Sequence, residues 1–320
     1  MPKIVIIGGG TGTFTALTGL KRYTTLLTAI VTMADSGGSS GLLRDELGVL
    51  PPGDVRQCLV ALSGGEKIWR DLFNYRFVNG GLSGHNFGNI FLSALEKITG
   101  SMDTAIKAAA EILHSQGKVI PVTFDQTNLC VELENGEIIK GETHVDEPKH
   151  DGRLVIKRAF LKPQAFINPE AVLAINEADL ILFGPGDLYT SIIPNLLVSG
   201  FAEAVQKNTA KTIFVMNLMT KFGQTNKLTA SGHLNSIEKY LKKKIDTVLL
   251  NKMKPSKETL SWYLSQKEKI VDDDMKNDKR IKRLDLIRDV IVEKNSGDRL
   301  KRSLIRHDPE KLARAVMEML

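Results

Sequence analysis

The sequence is short of cysteine, of aromatic residues and of long apolar runs, and each shortage removes a class of protein. Its two cysteines, Cys58 and Cys130, stand far apart without metal-ligand spacing. Neither a disulfide framework nor a zinc site is expected, and both read as reduced thiols of a cytoplasmic protein. No apolar stretch approaches the roughly 20 residues that a membrane span needs. The first strand begins almost at the N-terminus, so a signal peptide is not expected. Charge of one sign is also scarce: 43 Lys and Arg oppose 37 Asp and Glu, and the net charge is +6. Much of that excess sits in 239–257 and 276–302, where both signs mix. Such segments form a solvated face, and no nucleic-acid motif accompanies them. A Walker lysine, a Ser-His-Asp order, a Cys/His pair and a His-Glu-x-x-His element are all missing, so no catalytic residue is assigned.

Glycine carries the information instead. Ile4-Val-Ile-Ile7 is a β-branched apolar run, read as a strand buried on both faces. The turn Gly8, Gly9, Gly10, Thr11, Gly12 follows, and Phe14, Leu17, Leu20 and Tyr23 then recur at helical spacing. Strand, glycine turn and helix bind phosphate because glycines admit the anion to the backbone and the helix start offers unpaired N–H groups. The dinucleotide fingerprint is matched only in its first half, since Thr13 stands at the third glycine.

A second strand, Leu26–Met33, ends near Asp35, where a dinucleotide-binding fold carries its ribose-binding acid. Asp35, Ser36, Gly37, Gly38, Ser39, Ser40 and Gly41 read as a further donor-rich loop before the amphipathic Leu42–Leu47. Asp54 reads as the N-cap of a helix through Leu62. Asp35, Asp45 and Asp54 could hold Mg²⁺ beside phosphates, but capping and surface roles are the commoner use, so no metal ligand is assigned. His85, Asn86 and Asn89 open another helix, and His85 and Asn89, four apart, share its face. A helix follows at 101–115.

From Lys118 the pattern changes to period two, which predicts a β-rich insertion at 118–161 with a hairpin turn at Asn135-Gly136 and a loop at 146–152. The α/β rhythm then resumes with a helix at 169–177 and the strand Asp179–Phe183. That strand runs into Gly184, Pro185, Gly186 and Asp187, making a second strand–glycine loop–helix unit. Later strands end in Asn217 and Thr220, and in Asn251. Residues 266–300 suggest only weak strands, and Asp308 with Pro309 caps a C-terminal helix that docks on the sheet. Two glycine loops in one parallel sheet predict one anionic ligand shared where the strand order reverses. The expected fold is a single domain over 1–320, a Rossmann-like three-layer α/β sheet with the β-rich insertion.

Taken together, Gly8–Gly12, Asp35–Gly41, Pro51-Pro-Gly-Asp-Val-Arg56, His85–Asn89, Gly184–Gly186 with Leu188–Asn195, and Arg306-His-Asp-Pro309 resemble the bacterial YvcK/GlmR gluconeogenesis factors along the whole chain. That family lies in a superfamily with CofD, the 2-phospho-L-lactate transferase. The resemblance implies a cytoplasmic regulator, more a sensor than an enzyme, that binds a UDP-sugar such as UDP-N-acetylglucosamine. It also implies a role in growth on gluconeogenic carbon sources, in cell shape and in cell-wall precursor supply. A protein partner in that metabolism and self-association are expected, with no nucleic acid and no membrane span. By position, Gly10, Thr11, Thr13, Ser39, Ser40, His85, Asn89 and Arg306 would contact the nucleotide-sugar. The alternatives are an NAD-like ligand and a CofD-like transferase with Mg²⁺ offsetting phosphate charge. Two departures stand out: Asp187 replaces the usual serine after Gly-Pro-Gly, and Thr220-Lys-Phe-Gly-Gln-Thr225 replaces Thr-Gln-Pro-Gly-Glu-Thr.

Overall fold

Alternate residues of the first strand face opposite ways, and both sets are buried: Ile4 and Ile6 point into one apolar cluster, Val5 and Ile7 into another. A strand buried on both faces needs helices above and below it, and parallel strands joined by helical crossovers supply them. The computed structural model, which describes residues 1–288 and 304–320, has this three-layer form. The strands are β1 (Ile4–Gly8), β2 (Leu27–Val31), β3 (Lys118–Pro121), β4 (Asn128–Leu133), β5 (Ile138–Lys140), β6 (Ile156–Lys162), β7 (Leu180–Phe183), β8 (Lys211–Val215), β9 (Thr247–Asn251) and β10 (Ile281–Leu284). Seven of them form the main sheet in the order β10-β9-β8-β7-β1-β2-β3, with every pairing parallel. The chain builds outward from β1 in one direction and then returns to β1's other side with β7. The order therefore reverses between β1 and β7, and the carboxyl ends of these two strands carry the two glycine loops.

The helices that matter for the site are α1 (Gly10–Leu20), α2 (Gly38–Leu47), α3 (Gly53–Leu62), α4 (Lys67–Asn74), α5 (Phe87–Thr99), α6 (Met102–Ile112) and the short α7 (Glu142–Asp146). On the Ile4/Ile6 face, Leu17 of α1, Leu59 of α3, Leu92 of α5 and Ile106 of α6 share a core with Leu312 and Val316 of the C-terminal helix Pro309–Met317. On the Val5/Ile7 face, Leu129, Val131 and Leu133 of β4 share a core with sheet residues such as Ile30 and Ile120.

The period-two pattern is real, but its first strand belongs elsewhere. Lys118–Pro121 pairs in parallel with β2 and closes one edge of the main sheet. The separate antiparallel sheet, β5-β4-β6, begins at Asn128. A run of four residues is too short for its pattern to tell the edge of the main sheet from a strand of a small antiparallel sheet. The helix α4 had no counterpart in the sequence reading. Of the weak strands in 266–300, β10 is present, and residues 289–300 lie outside the described residues.

The C-terminal helix is capped as its sequence demands. Asp308 Oδ1 accepts from the N–H groups of Glu310 and Lys311, both at 2.9 Å. Asp308→Ala leaves those donors unpaired and is expected to lower stability by about 1 kcal/mol in urea unfolding, with the fold unchanged by circular dichroism.

Candidate functional site

The two glycine loops touch. A Cβ placed on Gly12 would lie 2.2 Å from the carbonyl oxygen of Pro185, a distance no side chain tolerates. Gly10 and Gly184 turn the chain with φ of +64° and +75°, a region that glycine enters without penalty. Asn195 ties the loops further, donating from Nδ2 to the carbonyl of Gly8 at 3.2 Å, while Asn217 Nδ2 donates to that of Gly186 at 2.8 Å. The second loop is not followed by a long helix: one π-turn, Leu188–Ile192, leads into the four-residue helix Ile193–Leu196.

Above the loops lies a cavity of about 840 Å³, within the size range of small-molecule sites. Of the residues singled out from sequence, Gly9, Gly10, Thr11, Gly12 and Asp35 line it from the β1–β2 side. Pro185, Gly186, Asp187, Asn217 and Thr220 line it from the β7–β8 side, and Arg306 closes it from the segment before the last helix. The Arg306 backbone is fixed, because its carbonyl accepts from Arg288 N–H at 3.1 Å and its neighbour His307 bridges to Ile287. Thr220 is committed to Lys269, donating its N–H at 2.7 Å and accepting at its hydroxyl at 3.0 Å.

The other predicted residues do not line the cavity. Gly8 ends β1, and Gly184 directly follows β7. Thr13 is buried and returns its hydroxyl to the carbonyl of Gly9 at 3.2 Å, filling the place of the third glycine with a hydrogen bond. Ser36 bonds Thr143 of α7, and Gly37 N–H is held by Asp35 Oδ1 at 2.8 Å. Gly38, Ser39 and Ser40 are the first turn of α2, not a loop. His85, Asn86 and Asn89 pack behind that turn. His85 Nδ1 meets Ser39 Oγ at 3.3 Å, Asn86 caps α5, and Asn89 Oδ1 accepts from Arg56 Nε at 2.9 Å.

Asp54 differs from its expected role. It lies inside the first turn of α3 rather than at the cap, and its carboxylate crosses to accept from Gly10 N–H at 2.7 Å. A protein carboxylate thus occupies one of the α1 donors that the sequence offered to a phosphate. Burial, then the charge of Asp35, pushes the Asp54 pKa up to about 7. Asp35 is raised by burial as well, and Glu142 of α7 is raised by burial and by Asp35 and Asp146. The donor set does not suit a divalent cation held by protein alone. Among the described residues no three His, Cys, Asp or Glu side chains converge as metal ligands, and Asp54 and Asp35 already accept from Gly10 and Gly37.

Sequence reasoning missed the third wall. Lys221 Nζ bonds Asp146 of α7 and lies 2.7 Å from Asp187 Oδ2. Burial opposes its charge, but Asp187 and Asp146 outweigh burial and hold its pKa above the usual lysine value. Phe222, Trp262 and Tyr263 add aromatic surface to the cavity. Lys267 Nζ sits 4.8 Å from the Phe222 ring centroid, and Trp262 meets Tyr263 edge-on at 4.9 Å. The acidic run Glu142, Asp146, Glu147 was the available signal, but its meeting with Lys221 is wholly non-local.

Comparison with known proteins agrees with this architecture. The family model of 2-phospho-L-lactate transferase CofD matches residues 4–292. The gluconeogenesis factor of Bacillus subtilis is 42% identical over 322 residues, which span 100% of this chain and 98% of that protein. The gluconeogenesis factor of Halalkalibacterium halodurans is 47% identical over 238 residues, covering 73% and 72%. The chain belongs to the gluconeogenesis-factor family, within the CofD superfamily. A crystal structure from Bacillus halodurans, described as a member of the UPF0052 family, superposes with a TM-score of 0.89 at 37% identity, covering 99% of each chain. Among the described residues no helix is long and apolar enough to cross a membrane.

The buried acids make stability depend on pH in a direction opposite to that of a salt-bridged carboxylate. Unfolded Asp54 titrates near about 3.9, so the folded chain holds this proton more tightly. Its contribution is full at acid pH and is lost as pH rises from about 4 to about 7, with no further loss above. Asp54→Asn keeps an acceptor for Gly10 and cannot ionise. In urea unfolding the variant should gain on wild type by about 2–3 kcal/mol between about pH 5 and about pH 8. Parallel pH profiles would contradict the assignment.

Proposed function

We propose that this chain binds a nucleotide-sugar of the UDP-N-acetylglucosamine type in the cavity between the two glycine loops and acts as a regulator rather than a catalyst. The observation that carries the reading is the contact of the two loops at the switch point beneath a cavity of about 840 Å³. Glycine backbone on both sides suits a diphosphate, Arg306 can offer it a bidentate fork, and Phe222 and Trp262 provide faces on which a base can stack. The carboxylate of Asp35 suits hydroxyl groups of ribose or sugar. The relatives named gluconeogenesis factor support a role in growth on gluconeogenic carbon sources. Cell shape and cell-wall precursor supply, through a protein partner, belong to the same proposal.

A second reading, a transferase acting on a nucleotide-activated phospholactate, draws on the CofD family model. Fold alone does not choose between them. A transferase here would work mainly by positioning and charge stabilisation. Calorimetric titration with UDP-N-acetylglucosamine, GDP, NAD and a deazaflavin, with products followed by chromatography with and without Mg²⁺, separates the readings. Binding of the UDP-sugar without turnover is the expected result.

Arg306→Ala removes one charge-assisted contact and should weaken UDP-N-acetylglucosamine binding about tenfold to a hundredfold, or roughly 1.5–3 kcal/mol. The melting temperature should hold, because capping belongs to Asp308 and packing to Leu312 and Val316. Unchanged affinity would remove Arg306 from the site.

A further inference from the structure

Lys221 lines the cavity, and the nucleotide-sugar reading leaves its position and chemistry unused. Its backbone is held in a tight turn: its N–H donates to Thr225 Oγ1 at 2.9 Å, and its carbonyl accepts from the N–H groups of Gln224 and Thr225 at 3.1 and 2.8 Å. Its ammonium lies beside the second glycine loop, since Asp187 directly follows Gly186. An ammonium has three N–H donors. Asp146 and Asp187 take two, and the described residues show no third partner.

The surroundings explain why a cation is needed here. Asp35, Asp54 and Glu142 line the same cavity, Glu142 on the short helix that also carries Asp146, and an incoming diphosphate would add to that negative charge. A divalent ion is the usual remedy, but among the described residues no three His, Cys, Asp or Glu side chains converge to hold one.

We propose that Lys221 is the diphosphate-binding cation of this chain, so that nucleoside-diphosphate sugars bind without a divalent metal ion. The proposal rests on the reading of the cavity as a nucleotide-sugar site. In the free protein Asp187 shares the ammonium with Asp146; in the complex its third N–H turns to a phosphate oxygen, and Asp187 competes with that phosphate for the same charge. Asp187 is therefore a brake on affinity, and Lys221 its source.

The alternative is that Lys221 only ties α7 to the glycine loop. Two variants separate these roles, because removing either partner breaks the tie. UDP-N-acetylglucosamine is titrated calorimetrically into wild type, Lys221→Gln and Asp187→Ser, each in EDTA and in Mg²⁺, with thermal melts on all three. Wild type should bind with similar affinity in both buffers. Lys221→Gln should lose about tenfold to a hundredfold in EDTA and recover part of it in Mg²⁺. Asp187→Ser should bind more tightly than wild type in EDTA, a gain that no folding defect produces. Loss of affinity in both variants, or unchanged affinity in Lys221→Gln, assigns Lys221 to the tie and overturns the proposal. A wild-type requirement for Mg²⁺ overturns it as well. If wild type binds in neither buffer, the reading of the cavity itself falls with it.

Discussion

The backbone of the first glycine loop runs so close to that of the second that no side chain fits between Gly12 and the Pro185 carbonyl. That approach follows from topology. β1 and β7 are hydrogen-bonded neighbours in register from Ile4 opposite Leu180 to Ile7 opposite Phe183, so their carboxyl ends emerge side by side. A parallel strand covered by helices on both faces has no solvent-exposed flank on which to build a site. The strand ends are where backbone donors, loops and helix starts can meet a ligand. Everything else in the cavity, from Asn217 and Thr220 after β8 to Arg306 before the last helix, is arranged around that contact.

The electrostatics of the site run against the simplest picture of a phosphate cradle. Asp54 already serves the amino end of α1, and Asp35 and Glu142 stand near it with their pKa values raised by burial and mutual repulsion. Such a wall favours donors, and hydroxyl groups are the donors a nucleotide-sugar brings in number. Positive charge comes from Lys221 in its pair of carboxylates and from Arg306.

The parts of the fold governed by local rules were legible in the sequence. Buried β-branched runs, glycine loops at strand ends, the Asn135-Gly136 turn and the Asp308 cap each follow from neighbours along the chain. Other features depend on partners distant in sequence. Ser39 and Ser40 read as a donor-rich loop from sequence, but with His85, Asn86 and Asn89 packed against them they are the buried start of a helix. Lys118–Pro121 alternates like the strands after it, yet it pairs with β2. Asp54 has the sequence context of a cap, and only the proximity of Gly10 shows what its carboxylate does. The Lys221 pair with Asp146 and Asp187 joins three segments that no spacing relates.

The account's central claim is that one ligand sits across both glycine loops. A co-crystal structure with UDP-N-acetylglucosamine tests it most directly. Density for the diphosphate between Gly9–Gly12 and Pro185–Asp187, with the uracil against Phe222 or Trp262, is the predicted result. Density on the face formed by Ser36–Ser40 and His85, or at any position that touches only one of the two loops, would contradict it.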